Sequence, residues 1–167
     1  MERRDFLTAA LAAPLMLHEA AVSAVCGTPD TRIPFLQVGT PNKNKRLYPK
    51  TVADKIIRDN KYVMGHIGMA DTGRDCSRVS LAHVSHEMHD LQYRNINGVQ
   101  WLTGELKILN TPEGKTLREM LSINPESVSF RTAGIGSGIV KANDGILVIS
   151  DNYKLVSVDA VQTSEAT

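Results

Sequence analysis

The chain has 167 residues, of which 42% are hydrophobic, and its 19 Lys and Arg side chains against 18 Asp and Glu give a net charge of +1. This length predicts one domain with a buried core, and the balanced charge argues against nucleic acid as a partner. No run of about 18 apolar residues occurs, so we expect no membrane-spanning helix. Cys26 and Cys76 match neither a metal motif nor a disulfide framework.

Residues 1–30 are predicted to form an N-terminal extension and residues 31–167 the folded domain. A pair of arginines precedes an alanine-rich run that ends near Ala24, which resembles a twin-arginine export signal. His18 and Glu19 interrupt this run, whereas a signal favours an unbroken apolar segment. A helical extension is therefore the alternative interpretation.

The domain begins with a predicted strand over 33–38. Pro49 is suited to open a helix, and the apolar spacing that follows it extends to about Asp59. Residues 62–75 are rich in glycine, so we predict a short strand followed by a loop that carries His66. A histidine in such a loop could be presented as a base without being buried.

The second half of the chain is dominated by predicted strands. Asn97-Gly98 predicts a β-hairpin because this pair favours the backbone of a two-residue turn, and residues 143–145 predict another. Thr111-Pro112 predicts the start of a helix, and residues 154–161 a final strand. The expected fold is α+β, mainly antiparallel β, in the form of a small barrel or sandwich with helices.

A pair of serines lies on the strand that precedes a glycine-rich turn. Ser127 and Ser129 are two residues apart, so their hydroxyls share one face while Val128 and Phe130 share the other. We expect the apolar face to pack inward and the hydroxyls to lie at a surface or cleft. A serine needs an adjacent base to act as a nucleophile, and His66 is a candidate for that base.

The other candidates are an acidic residue on the last strand, Asp159, and a group of histidines. His83, His86 and His89 recur every third residue, a spacing that on a helix would gather imidazoles around a zinc ion. The surrounding alternation instead favours a strand, which puts His86 on the opposite face from the other two. We expect no metal ion and no other cofactor.

Six short sequence motifs follow one another along the chain and, with the segments between them, span about residues 33–162. They are Lys-Asn-Lys-Arg-Leu-Tyr-Pro-Lys at 43–50, Met-Gly-His at 64–66, Val-Ser-His-Glu-Met-His-Asp-Leu at 84–91, Gly-Glu-Leu-Lys-Ile-Leu-Asn-Thr-Pro-Glu-Gly-Lys at 104–115, Ser-Val-Ser-Phe-Arg at 127–131 and Val-Asp-Ala-Val at 158–161. Each resembles a signature of the prohead core proteases of T-even-type bacteriophages. The first, for example, is similar to Asn-Arg-Asn-(Lys/Gly)-Arg-(Leu/Ile)-Tyr-Pro-Lys.

This resemblance implies a serine endopeptidase with the herpesvirus assemblin-like fold, a β-barrel with flanking helices. Carried over by position, Ser129 is the nucleophile, His66 the general base and Asp159 the third member of the triad. Because the related herpesvirus enzymes use a second histidine as third member, His86 is the alternative. Arg131 is implied to support the oxyanion together with backbone N–H groups.

The resemblance also implies partners, a location and a cleavage preference. The expected partners are phage scaffold and major capsid precursor proteins, within the prohead interior in the host cytoplasm, and the protease is homo-oligomeric or depends on assembly. Such enzymes cut after Glu in Leu/Ile-x-Glu. Leu-His-Glu at 17–19 fits this preference, so the Glu19–Ala20 bond is a candidate self-cleavage site that would make the extension a propeptide.

Several positions depart from the family pattern. Val63 and Met64 precede Gly65 where the family has other residues, Phe130 follows the serine, and Thr163 stands where a Pro-Ser element is expected. Bulky Phe130 is expected to narrow the oxyanion site. Two alternatives therefore remain: a catalytically decayed protease-fold scaffold or core protein, and an exported protein with a twin-arginine-like signal.

Overall fold

The structure, a computed structural model, describes residues 32–68, 79–141 and 144–163. In this part of the chain the helices are α1 (Lys50–Asp59) and α2 (Pro112–Ile123). The strands are β1 (Arg32–Val38), β2 (Arg46–Leu47), β3 (Tyr62–His66), β4 (Val84–Ile96), β5 (Val99–Ile108), β6 (Val128–Ile135), β7 (Gly138–Val140), β8 (Leu147–Ile149) and β9 (Lys154–Gln162). The predicted extension and its Glu19–Ala20 bond lie outside the described residues.

One curled sheet forms the body of the domain. Four antiparallel strands follow the order β1-β5-β4-β3, and β6 pairs with β9. The chain just beyond β3 joins β9 through a bridge between Ile67 and Ala160, so β9 and β6 continue the sheet. β1 and β6 also contact each other. Among the described residues these two strands share no hydrogen-bonded ladder, so the predicted barrel is observed as a strongly curled sheet.

Local sequence signals account for the elements that were predicted correctly. α1 begins directly after Pro49 and ends at Asp59. The side chain of Thr111 accepts a hydrogen bond from Gly114 N at 3.0 Å and caps α2. The β4–β5 hairpin turns at Asn97 and Gly98, whose φ angles of 52° and 82° are the positive values that this turn requires. Each of these signals acts within a few residues.

A smaller sheet, in the order β2-β8-β7, lies beside the curled one. β7 and β8 are antiparallel neighbours, as expected for the predicted hairpin, and Gly145 has a φ angle of 64° in the described part of the turn. None of the described helices is long and apolar enough to cross a membrane.

Three predictions about the site-bearing strands were wrong. His66 is the last residue of β3 and not part of a loop, because β3 pairs with distant β4 along its whole length. Ser127 lies in a single 3-10 turn, and β6 starts only at Val128. The Ser129 side of β6 is also buried and not at the surface, since consecutive residues of both β6 and β9 are buried on either face.

Candidate active site

His66 and Asp159 are brought into direct contact where β3 meets β9. Asp159 Oδ1 accepts a hydrogen bond from the His66 backbone N–H at 3.0 Å, and the same oxygen lies 3.2 Å from His66 Nδ1. The side chains are 12% and 8% exposed, so water screens this contact only weakly. Ser157, two residues along β9, donates its hydroxyl proton to Asp159 Oδ2 at 3.1 Å. Both carboxylate oxygens therefore have fixed partners.

The other nitrogen of the imidazole identifies its tautomer. His66 Nε2 accepts a hydrogen bond from the backbone N–H of Ser80 at 3.2 Å. A nitrogen that accepts carries a lone pair, so in the neutral ring the proton is on Nδ1, from which it is donated to Asp159. This is the tautomer that a general base needs, because Nε2 is then free of a proton and can take one from a hydroxyl.

Ser129 lies on the same face of the sheet as this pair. In the β6–β9 register Ser129 is opposite Val161 and Arg131 is opposite Asp159. Directly paired residues point to the same side and alternate residues share a side, so the three polar residues project together. His66 contacts Asp159 from the neighbouring strand. The two backbones that carry Ser129 and His66 are thus two strand spacings apart, about 10 Å.

The hydroxyl of Ser129 has a hydrogen-bond partner other than the imidazole. Its Oγ is 3.1 Å from Thr163 Oγ1, and Thr163 donates its own proton to the carbonyl oxygen of Glu126 at 2.6 Å. A hydroxyl has a single proton, so Ser129 is the donor to Thr163. Among the described residues, Ser129 and His66 do not hydrogen-bond to each other. The structure therefore brings His66 to Asp159 but leaves the Ser129 hydroxyl turned toward Thr163.

His86 is buried on the opposite face of the sheet. It contacts Phe130, which alternation along β6 places on the face opposite Ser129 and Arg131. Its Nε2 is 2.8 Å from the carbonyl oxygen of Val158, and its Nδ1 is 2.8 Å from the hydroxyl of Ser85. Burial lowers the pKa of His86 to about 4, so the ring is neutral at pH 7.

Phe130 points away from the serine face, contrary to the expectation that it narrows the oxyanion site. Its ring packs edge-on against the imidazole of His86, with ring centroids 5.2 Å apart. On the serine face, Arg131 is 3% exposed and holds a buried positive charge two residue pairs away from Ser129. Alternation along β6 therefore places Phe130, the apolar neighbour of Ser129, on the opposite face and Arg131, the cationic neighbour, on the same face as Ser129.

The remaining histidines of β4 and its approach lie next to carboxylates. His83 Nδ1 is 3.1 Å from Glu113, and His89 Nε2 is 2.7 Å from Glu87. Within the described ranges, no group of three or more His, Cys, Asp and Glu side chains could hold a metal ion. Alternation along β4 places His86 and His89 on opposite faces, as the strand interpretation predicted, whereas His83 lies in the 3-10 turn before the strand.

Three neighbours of the site were not identified from the sequence. Nothing in the sequence around Ser80 indicates that its N–H reaches an imidazole. Thr163 was identified only as a departure from the family pattern. That departure was the sequence feature that could have pointed to this neighbour of Ser129. Ser85 belongs to the Val-Ser-His stretch that resembles the family, but only the histidine of this stretch was predicted to be a site residue.

The curled antiparallel sheet with two helices is similar to the fold of a solved phage capsid assembly protease. One solved structure that matches is gp21, the capsid assembly protease of bacteriophage T4, with a TM-score of 0.63 and 20% sequence identity. The match covers 87% of this chain and 92% of that chain. No family model matches the sequence, and no curated protein does. The resemblance to prohead proteases is therefore confirmed for the fold.

Proposed function

We propose that the protein is a serine endopeptidase of phage head assembly, with Ser129 as nucleophile, His66 as general base and Asp159 as the third member of the triad. The observation that carries this proposal is the contact between His66 Nδ1 and Asp159 Oδ1, made by an imidazole in the tautomer that leaves Nε2 free of a proton. Ser129 projects from the same face. The T4 protease fold supports the same conclusion.

The chemistry follows from this arrangement. Ser129 Oγ attacks the scissile carbonyl carbon while His66 Nε2 takes the hydroxyl proton, and Asp159 stabilises the imidazolium that forms. The imidazolium then donates this proton to the leaving amine. Water, activated by the same nitrogen, hydrolyses the acyl-enzyme and restores the serine. The buried guanidinium of Arg131 and backbone N–H groups stabilise the oxyanion of the tetrahedral intermediates.

Asp159, and not His86, is proposed as the third member because of where the two lie. Asp159 accepts from both the backbone and the ring of His66. His86 directs both ring nitrogens to other partners on the far side of the sheet. To contact the base His66 from that side, the His86 side chain would have to pass through the sheet at β3 or β9.

The substrates are proposed to be phage scaffold and major capsid precursors, cut after Glu in Leu/Ile-x-Glu within the prohead. The Glu19–Ala20 bond is the candidate self-cleavage site. The assemblin-like classification, homo-oligomerisation and dependence on assembly belong to the same proposal.

A second candidate is a protease-fold scaffold or core protein with a decayed site. It is favoured by one observation: the Ser129 hydroxyl donates to Thr163, and His66 Nε2 accepts from Ser80 N–H, so the two reacting atoms are engaged elsewhere. An active enzyme must break both hydrogen bonds, each with a net contribution of about 1 kcal/mol. That cost is small compared with a catalytic barrier.

The proposal is tested by expressing the full chain beside Ser129→Ala and Ser127→Ala and by determining intact masses and N-terminal sequences. Ser127 is a matched control because its hydroxyl bonds to Asn124 O outside the site. Wild type and Ser127→Ala are expected to be shortened after Glu19, with Ser129→Ala intact. Identical shortening in all three would indicate a host peptidase and favour the export signal. No shortening in any would favour the scaffold.

A further inference from the structure

We propose that Ser85 and His86 form a buried hydrogen-bonded bridge that positions His66 against Asp159, acting through the backbone and not on the substrate. This inference rests on the proposed function and extends it to two positioning residues. Each end of the bridge holds the peptide group directly before one member of the pair: Val158 precedes Asp159 on β9, and Gly65 precedes His66 on β3.

The hydrogen bonds of the bridge have one consistent direction. The carbonyl oxygen of Val158 can only accept, so His86 Nε2 carries the proton and donates it at 2.8 Å. In a neutral ring Nδ1 is then the acceptor, and the hydroxyl of Ser85 donates to it at 2.8 Å. The same hydroxyl proton is shared in a three-centre hydrogen bond with the carbonyl oxygen of Gly65, which lies 3.3 Å from Ser85 Oγ. The two strands are thereby connected through two side chains of β4.

The packing around the bridge leaves little freedom. Ser85 and His86 are both fully buried. A side-chain carbon added at Gly65 would overlap the carbonyl oxygen of Val158 and the His86 ring, so the absence of a side chain lets β3 approach β9 this closely. The edge of the Phe130 ring closes the remaining side of the imidazole. Hydrogen bonds in such an enclosed site have no competing water.

The position of the bridge explains why it affects orientation and not binding. His86 packs against Phe130 on the face opposite Ser129, and Ser85 is fully buried, so neither side chain is exposed to a substrate on the serine face. The His66–Asp159 contact depends on the backbone of β3 and β9, because Asp159 also accepts from the His66 N–H. A small relative shift of these strands changes both hydrogen bonds to the carboxylate. Misplacement of a reacting group by about 1 Å costs on the order of 100-fold in rate.

Two substitutions of His86 separate the two ends of the bridge. In His86→Gln the terminal amide can still donate to Val158 O but no acceptor remains at the Nδ1 position. In His86→Asn the acceptor for Ser85 remains and the donor to Val158 O is lost. Ser85→Ala removes the hydroxyl with little change in volume. Folding of each variant is checked by circular dichroism before any other measurement.

The first readout is cleavage of a peptide with the sequence of residues 15–22 by the full chain. We expect kcat to fall about 100-fold in His86→Asn and about 10-fold in His86→Gln and Ser85→Ala, with KM within about twofold of wild type. The smaller loss in His86→Gln follows because its donor still fixes β9 next to Asp159. Equal kcat values in wild type and the folded variants would overturn the inference, as would an effect confined to KM.

The second readout does not depend on peptidase activity. Long-range proton–nitrogen spectra of labelled protein report which ring nitrogen carries the proton. In wild type we expect His86 protonated on Nε2 and His66 on Nδ1, and in folded Ser85→Ala or His86→Asn we expect His66 to become a mixture of tautomers. An unchanged His66 tautomer in both variants would contradict the bridge. A changed tautomer in a chain that cleaves nothing would leave the bridge intact and refute the protease proposal alone.

Discussion

The hydroxyl of Ser129 lies 3.1 Å from that of Thr163, whose own proton is donated to Glu126 O at 2.6 Å. This pairing holds the proposed nucleophile in a resting orientation. Thr163→Val removes the acceptor while keeping the shape of the side chain. We expect the rate of fluorophosphonate labelling to rise about 2- to 10-fold, because a hydrogen bond of about 1 kcal/mol no longer opposes reorientation.

Thr163→Ser is the control for this prediction because it keeps the hydroxyl. Its labelling rate should match that of wild type. A Thr163→Val rate equal to or below the wild-type rate would show that Thr163 does not restrain Ser129.

Asp159→Asn keeps the size of the side chain but removes the negative charge next to His66 Nδ1. We expect kcat to fall about 1,000- to 10,000-fold, because the imidazole loses its tautomer preference and the partner of its positive charge. The measurement is the initial rate of peptide cleavage. Asp144→Asn, an exposed position in the β7–β8 turn, is the matched control and should cleave at the wild-type rate. Similar rates for the two variants would exclude Asp159 from the triad.

The buried His86 predicts a loss of stability in acid. Burial lowers its pKa from 6.5 to about 4, a shift opposed by the hydrogen bond to Val158 and the charge of Asp159 and assisted by His66. As pH falls below 6.5 the unfolded chain binds a proton that the folded chain does not. The contribution of neutral His86 is therefore complete above that pH and is lost progressively down to about pH 4, by about 3 kcal/mol.

Urea unfolding of wild type and His86→Gln at about pH 7.5 and about pH 4 measures this effect. Wild type should lose about 3 kcal/mol more than the variant between the two conditions, because Gln does not titrate. Carboxylates titrate in both proteins and cancel in the comparison. An equal loss in both would mean that His86 is protonated in the folded state.

Gly65→Ala tests the close approach of β3 to β9. The added methyl group would overlap backbone as well as the His86 ring, so we expect the free energy of unfolding to fall by about 3 kcal/mol. Gly104→Ala on β5 is the milder comparison, since its added carbon would lie 3.1 Å from Leu91 and Met88. Denaturant titration should rank the two in this order, and the reverse order would contradict the tight packing at Gly65.

The sequence predicted the elements whose signals are local. Pro49 opening α1 and Asn97-Gly98 turning the β4–β5 hairpin depend on backbone preferences of a few residues. The alternation that predicted a buried Val128 and Phe130 was also correct. The burial of Ser129 and Asp159 was not predicted, because a period-two pattern describes one strand and says nothing about what covers its polar face.

The sequence was sufficient to predict which residues belong to the site but not which of them contact each other. Likeness to a family pointed to His66, Asp159 and Ser129 by position, and the first two do meet. The hydrogen bonds from Ser80 and to Thr163 connect residues 14 and 34 positions apart in the chain. Such contacts depend on how distant strands and loops converge, which no local pattern encodes.

The central claim is that Ser129 is a nucleophile activated by His66. Its most direct test is fluorophosphonate labelling of the full chain, with the modified residue identified by peptide mass spectrometry. Wild type and Ser127→Ala are predicted to carry one adduct, on Ser129, and His66→Ala and Ser129→Ala none. An adduct on another serine, labelling that persists in Ser129→Ala, or a wild-type chain that labels no faster than its urea-unfolded form would contradict the account.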